Sequence, residues 1–293
     1  MLYVEHLDKT VSNKYFQLKD ISFHLPKGYI CGLIGENGAG KTTLLRSLMG
    51  LYNFHGSVTI DGYDLAQDEA FAKGKLGILC ENGFFQEGMT SYQIGIYYGE
   101  LYDVFDMDLY NSYLDTFHIN REQKYKHLSK GMKMKVQLAF ALSHDAKLFL
   151  FDEPTAGWDR DTREIFLKIC TDIVSDGERS ILISSHITDD LDRIADYIGF
   201  MQEGKLLFCT TKEELCDRFR IVSGEDYKLN LIAKEAVVYK EKGTYNSSAM
   251  IVNSKRYEID DSIEVHVPNI REFMHYYVKG GKQGAEAFAE KYL

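Results

Sequence analysis

The chain has 293 residues, 45% of them apolar, and a formal net charge of −10 from 34 basic and 44 acidic side chains. Its size and apolar content suit one large domain, or a large domain with a small one, and abundant aromatics beside only three prolines exclude widespread disorder. The acidic balance excludes a general field drawing the protein onto nucleic acid or anionic lipid, and leaves room only for a local basic patch.

Residues 1–10 alternate apolar and charged positions, without the basic start and apolar block of a signal peptide, so none is expected. Residues 18–25 alternate as a strand and end in the turn Pro26-Lys27-Gly28. The unbroken apolar run 29–34 suits a strand buried on both faces, and a glycine-rich loop follows it directly. A helix is predicted over 41–49 with Gly50 as its stop, then a short strand over 56–62 closed by the Asp61-Gly62 turn, and another strand over 75–80. Residues 81–143 read as a mostly helical insert, its first helix running from 90 to about 105 and rich in Tyr92, Tyr97, Tyr98, Tyr102 and Phe105.

A buried strand over 147–151 is followed by helical spacing of Ile165, Phe166, Ile169, Ile173 and Val174 over 161–175, with Gly177 at the cap position. A strand over 180–184, a helix over 188–195 and a hairpin of 197–201 with 205–208 around Glu203-Gly204 complete a strand–helix alternation that argues for a mainly parallel sheet. Beyond about residue 218 the texture changes. Short alternating stretches at 227–232 and 263–267 precede a helix predicted over 269–278, which together suggest a small α+β extension. The five cysteines, Cys31, Cys80, Cys170, Cys209 and Cys216, are scattered with no C-x-x-C pair, and are expected to be reduced thiols in a cytoplasmic protein. No apolar run approaches the roughly 18 to 20 residues that cross a bilayer, so work at a membrane requires another chain to span it.

Two segments carry recognisable chemistry. Gly35-Glu36-Asn37-Gly38-Ala39-Gly40-Lys41-Thr42 fits G-x-x-x-x-G-K-[ST] between a buried strand and a helix, with Thr43 continuing the cradle. Glycines let the backbone curl so that N–H groups face phosphate oxygens, and the helix beginning near Lys41 adds its positive dipole end. Lys41 offers a mobile charge to the β- and γ-phosphates, and the Thr42 hydroxyl can ligate Mg²⁺. Alone this says only nucleoside triphosphate. Asp152-Glu153 end an apolar strand, and strand C-terminal ends face the ligand crevice of a parallel sheet. Asp152 is placed to reach Mg²⁺ directly or through water, and Glu153 to orient or deprotonate an attacking water.

Leu128-Ser129-Lys130-Gly131-Met132, before a helix and upstream of the acid strand, resembles the L-S-G-G-Q signature of the ATP-binding cassette (ABC) family. Thr155-Ala156-Gly157-Trp158-Asp159 resembles the family loop linking two nucleotide sites, with Asp159 the matching residue, and Ser184-Ser185-His186 resembles its switch histidine, which contacts the γ-phosphate. The resemblance covers residues 1 to about 218. It implies ATP with Mg²⁺, and a head-to-tail pairing with a second copy of this or a similar cassette. Ser129, Lys130, Gly131 and Met132 of one copy would then close on the γ-phosphate held by the other. The fold implied is an α/β P-loop NTPase cassette over 1–218, with a mixed, mainly parallel sheet, antiparallel N-terminal strands and a helical insert at about 82–143, followed by an α+β extension over 219–293.

The pattern departs from the family at three places. Lys130 and Met132 replace the usual Gly and Gln. Glu81 stands where the family has a Gln after the strand 75–80; it can ligate Mg²⁺ but cannot donate a hydrogen bond when ionised, and is expected to slow hydrolysis or make it depend more on the partner, with Gln86 a weaker stand-in. The aromatic that stacks on adenine is assigned to Tyr15, near the aligned Val11 and beside Phe16. The functional expectation is a cytoplasmic exporter motor, peripheral on the inner face of the membrane through separate permease subunits, for peptide, bacteriocin or antibiotic-like substrates. Phe84, Phe85, Tyr92, Tyr97 and Tyr98 form the apolar socket for the permease, and no nucleic acid is expected as partner. The competing readings are a soluble ABC ATPase acting on a ribosome or nucleic acid, and a non-hydrolysing module that uses ATP only to dimerise. A single cassette without basic arms argues against the first, and Lys41, Asp152, Glu153 and His186 together argue against the second.

Overall fold

The computed structural model describes residues 1–10, 17–81, 83–155, 157–253, 259–260 and 262–281. The chain divides into two units, residues 1–186 with 194–209, and residues 187–193 with 210–293.

In the first unit, β1 (Leu2–Thr10), β2 (Gln17–Leu25), β4 (His55–Ile60) and β5 (Tyr63–Asp64) form a sheet of order β2-β1-β4-β5, with β1 antiparallel to both neighbours. The Asp61-Gly62 turn joining β4 to β5 holds both residues at positive φ, 49° and 91°, the conformation that matches strand twist in a two-residue hairpin. The second sheet contains β3 (Ile30–Ile34), β6 (Leu76–Leu79), β7 (Leu148–Asp152), β8 (Ser180–Ser184), β9 (Tyr197–Gln202) and β10 (Lys205–Thr211) in the order β10-β9-β3-β8-β7-β6. Its pairs β9/β3, β3/β8, β8/β7 and β7/β6 are parallel, as the strand–helix alternation predicts. The strands read as unbroken apolar runs, β3, β7 and β8, are buried at every position.

A core running through Leu2, Leu18, Leu33, Leu48, Ile60, Leu148 and Leu182 joins both sheets to helix α1 (Lys41–Leu48). The β9–β10 turn places Glu203 at φ 48° and Gly204 at φ 77°. Its tip is wedged against the rest of the unit. The Gly204 N–H donates to Ala39 O (3.0 Å), its carbonyl accepts from Lys19 N–H (2.9 Å), and a Cβ at 204 would come within 1.9 Å of Gln17 O.

After α2 (Glu69–Gly74), the insert between β6 and β7 holds α3 (Ser91–Gly99), α4 (Met107–Thr116) and α5 (Lys130–Ala141). The first helix starts on a Thr90/Gln93 capping box but stops at Gly99 instead of running to about 105, because the chain turns back and lays the Phe105 ring against Gly99, where a Cβ would clash at 2.6 Å. Phe85 and Tyr98 belong to the insert's own aromatic core with Tyr102, Tyr125 and Phe140, so the structure removes Phe85 from the expected socket and half-buries Tyr98; Phe84, Tyr92 and Tyr97 remain exposed. Helix α6 (Arg160–Val174) buries Phe166, Leu167, Cys170 and Ile173.

The second unit opens with α7 (Thr188–Ile194), continues through α8 (Lys212–Arg218), and carries an antiparallel sheet of order β12-β13-β11-β14. Its strands are β11 (Phe219–Gly224), β12 (Val237–Glu241), β13 (Ser247–Val252) and β14 (Glu264–His266). The stretch 227–232, which alternates in sequence, is not a strand: α9 (Asp226–Leu229) occupies it, and the buried pair Leu229 and Ile232 stands three apart, at helical spacing. Helix α10 (Ile270–Gly280) begins on an Asn269/Glu272 capping box and buries Ile270, Phe273, Tyr276 and Tyr277 along one stripe. All five cysteines are free thiols, and among the described residues no helix is long and apolar enough to cross a membrane.

Candidate nucleotide site

Between β3 and α1 the loop curls through Gly35 (φ 151°), Gly38 (φ 82°) and Gly40 (φ 111°). Gly35 is required sterically as well, since a Cβ there would stand 2.2 Å from Met201 O on β9. Gly40 supplies no side-chain cap to α1, so the first-turn N–H groups stay available to an anion. The loop borders a cavity of about 480 Å³ lined by Asn37, Gly38, Gly40, Lys41, Thr42, Thr43 and Glu153. Lys41 is 7% exposed, and its ammonium donates to Gly35 O (2.8 Å) and Glu36 O (3.2 Å), the inner wall of the curl. Burial lowers its pKa, while the charges of Glu153 and Asp152 oppose that shift. An anion in the cavity would supply the compensation that two carbonyls supply here.

Asp152 ends β7, buried, with Oδ1 accepting from the Thr42 hydroxyl (3.0 Å) and from the Ser184 hydroxyl (2.8 Å). Burial nonetheless raises its pKa, against the lowering pull of those two hydroxyls. Glu153 adopts φ 50°, a left-handed turn that swings its side chain away from that of its neighbour. Its N–H is pinned to Ser184 Oγ (3.0 Å) and Ser184 O (3.2 Å), and its Oε2 accepts from His186 N–H (3.2 Å) and lies 2.5 Å from His186 Nδ1. Thr42, Asp152, Glu153 and His186, read from separate segments, are therefore linked through Ser184, with Lys41 beside them on the cavity wall.

Other expected residues stand apart from this group. Ser129 caps α5 by accepting from Met132 N–H (3.2 Å), and Gly131 lies under the indole of Trp158, where a Cβ would meet the ring at 3.4 Å. Asp159 caps α6, accepting from Thr162 N–H and the Thr162 hydroxyl, both at 2.9 Å. Neither Ser129, Lys130, Gly131 and Met132 nor Asp159 lines the cavity. The Glu81 carboxylate is not beside Thr42 and Asp152 but on Lys130 Nζ at 2.6 Å. Gln86 is exposed, its N–H donating to Tyr98 Oη. Tyr15, with Val11 and Phe16, lies outside the described residues.

Two structural residues escaped the sequence reading. Ser184 ties Asp152 to Glu153, and its only signal is a hydroxyl ending an apolar strand. Gln137, fully buried on α5, accepts from Cys80 N–H (3.0 Å) and donates to Cys80 O (3.1 Å) and Tyr125 Oη (3.3 Å), holding the residue before Glu81. One amide inside the otherwise apolar run 136–142 was the available clue.

The oxygens of Thr42 and Asp152, joined over 3.0 Å beside a phosphate-type loop, fit a hard cation of the Mg²⁺ kind. No cluster of three or more His, Cys, Asp or Glu side chains able to hold a metal occurs among the described residues, so such an ion would be shared with phosphate oxygens.

Residues 18–156 match the family described as ABC transporter. The chain is similar to the ABC transporter ATP-binding protein YtrB of Bacillus subtilis, 30% identical over 237 residues that cover 80% of each chain. It is also similar to the linearmycin resistance ATP-binding protein LnrL of the same organism, 29% identical over 224 residues, covering 74% of this chain and 71% of that one. In three dimensions it resembles the dimeric, post-hydrolysis ATP-binding cassette solved with ADP and Pi, with a TM-score of 0.64 at 17% identity over 72% of this chain and 98% of that one, a likeness of fold.

Proposed function

This chain belongs to the ABC transporter family, as an ATP-binding subunit, and on that premise we propose that it is a Mg²⁺-dependent ATPase that works in pairs and drives an exporter through separate membrane-spanning subunits. The observation that carries the reading is Lys41 beside the linked group Thr42, Asp152, Ser184, Glu153 and His186 at the rim of a cavity sized for a triphosphate. Lys41 and the N–H groups of the loop bind the phosphates. Thr42 and Asp152 would hold the metal, which would supply positive charge against the phosphates. Glu153, with Oε2 engaged by His186, keeps Oε1 to orient a water and to receive its proton. Because the chemistry needs little covalent help, positioning and charge stabilisation account for most of the acceleration.

Ser129 to Met132 and Asp159 stay off the cavity of their own subunit, which supports their use on the nucleotide of a second copy. Phe84, Tyr92, Ile96 and Tyr97 leave an apolar face on the insert, which supports docking of a permease element there. The similarity to a linearmycin resistance protein supports an antibiotic-like cargo. Residues 219–293 serve as an accessory extension to a cassette of 1–218. The test is Glu153→Gln: it should retain ATP binding, lose turnover and accumulate as a dimer with ATP and Mg²⁺ in light scattering. A variant that hydrolyses at the wild-type rate, or stays monomeric when saturated, refutes the proposal.

A further inference from the structure

Away from the cavity, the two segments expected to serve a second copy are held to each other within one chain. Trp158 directly precedes Asp159, the cap of α6, and lays the Cδ1–Nε1 edge of its indole on Gly131 in the first turn of α5. A Cβ at 131 would stand 3.4 Å and 3.5 Å from those two ring atoms. The same ring meets Phe166 of α6 edge to face, with centroids 5.6 Å apart, and Phe166 meets Phe151 of β7, also at 5.6 Å. Phe151 and Phe166 are buried, and Phe151 directly precedes Asp152. A second tie lies nearby: Lys135 Nζ on α5 donates to the Thr162 hydroxyl (3.3 Å), which donates to Asp159 Oδ2 (2.9 Å).

Packing, and not a side-chain hydrogen bond, keeps the indole in place. The Trp158 main-chain N–H donates to Thr155 O (3.1 Å), but Nε1–H is shut off from water and has no acceptor among the described residues. A buried donor without a partner carries a cost that an all-carbon side chain would avoid. What the indole offers in return is reach, since one ring touches both Gly131 and Phe166.

We propose that Trp158 is a positioning residue for the Ser129–Met132 turn: its indole keys the first turn of α5 to Phe166 and the β7 core of the same chain, so that this turn and Asp159 meet a second copy as one preset face. A turn ordered in advance spares the pair the entropy of ordering it on contact. The inference rests on the reading that the chain works in pairs and uses this turn on its partner's nucleotide.

The experiment is Trp158→Ala in the full chain, alone and in the Glu153→Gln background. Trp158 does not line the cavity, so a fluorescent ATP analogue should bind the separate, dilute chains within about two-fold of wild type. Each loosened turn should cost about three-fold in association, and a symmetric pair contains two, so the dimer Kd of the Glu153→Gln chain with Mg·ATP should rise about ten-fold in sedimentation. In the separate chains, hydrogen exchange should quicken in the first turn of α5 and stay unchanged in β7. Turnover of Trp158→Ala should recover as protein concentration is raised, which a mere loss of folded chain would not produce. A dimer Kd within about two-fold of the parent, or unchanged exchange at the start of α5, overturns the role of Trp158 and leaves the paired ATPase intact. Nucleotide affinity, pairing and β7 protection falling together also overturn it, because the ring would then serve the fold alone. A Glu153→Gln parent that stays monomeric in saturating Mg·ATP overturns both readings.

Discussion

Replacing Gln137 by Leu keeps the volume of the side chain and removes its polar atoms, so the loss can be worked out bond by bond. Cys80 N–H loses its 3.0 Å acceptor in a fully buried setting. Cys80 O keeps one donor, Gly83 N–H at 3.1 Å, and Tyr125 Oη loses the amide at 3.3 Å. An orphaned buried N–H costs about 1–3 kcal/mol, and the remaining lost bonds together about 1 kcal/mol. The sum is about 2–4 kcal/mol, or roughly 4–16 °C in Tm for a unit of this size. Thermal melting and urea titration followed by circular dichroism provide the measurement. Because α5 and the end of β6 part company, the variant should also bind nucleotide less well than its folded fraction alone predicts. A destabilisation under about 0.5 kcal/mol would refute the claim that this amide fastens the Ser129–Met132 helix to the end of β6 that leads into Glu81.

Two further outcomes follow from geometry elsewhere. Gly35→Ala would force a Cβ to within 2.2 Å of a backbone carbonyl at a φ of 151°, so the loop or β9 must shift; nucleotide affinity should fall at least ten-fold by titration calorimetry, and near-wild-type affinity would mean that the loop tolerates displacement. In the second unit, Lys240 and Ser247 hold the Asp226 carboxyl at about 2. A pKa depressed on folding contributes stability that is complete above the unfolded value, near 3.9, and is lost as pH falls from there toward 2. The stability gap between wild type and Asp226→Asn should therefore be full at pH 5 and close by about pH 2; a gap constant with pH would contradict the assignment.

The elements that sequence patterning rendered well are those whose side chains report a single environment. The stretches 30–34, 148–151 and 181–183 are apolar throughout because both faces of the sheet are covered, and each lies in a buried strand. Glycines at forced conformations located the phosphate loop and the Glu203-Gly204 turn. Where one residue answers to two environments, the pattern misled. Residues 227–232 alternate, yet the stretch opens as a helix and buries Leu229 and Ile232, three apart. Phe85 reads like a surface anchor but packs among Tyr98, Tyr125 and Phe140, contacts supplied by α3, α5 and the 3-10 turn Tyr125–His127. The candidate group was legible as separate letters, whereas its connections through Ser184 depend on which strands lie side by side, and that is written in the topology of the sheet and not in any local spacing.

The tip of the β9–β10 hairpin is the kind of tight, glycine-bearing corner that protein engineers choose for grafting a tag or opening a new terminus. Here that choice would fail. The Gly204 peptide is shared, its N–H given to Ala39 in the phosphate loop and its carbonyl to Lys19. One extra residue at this corner would release the far wall of the nucleotide cradle while touching none of the residues that line it, and the resulting defect would mimic a phosphate-loop lesion in a protein whose glycine-lysine loop is intact.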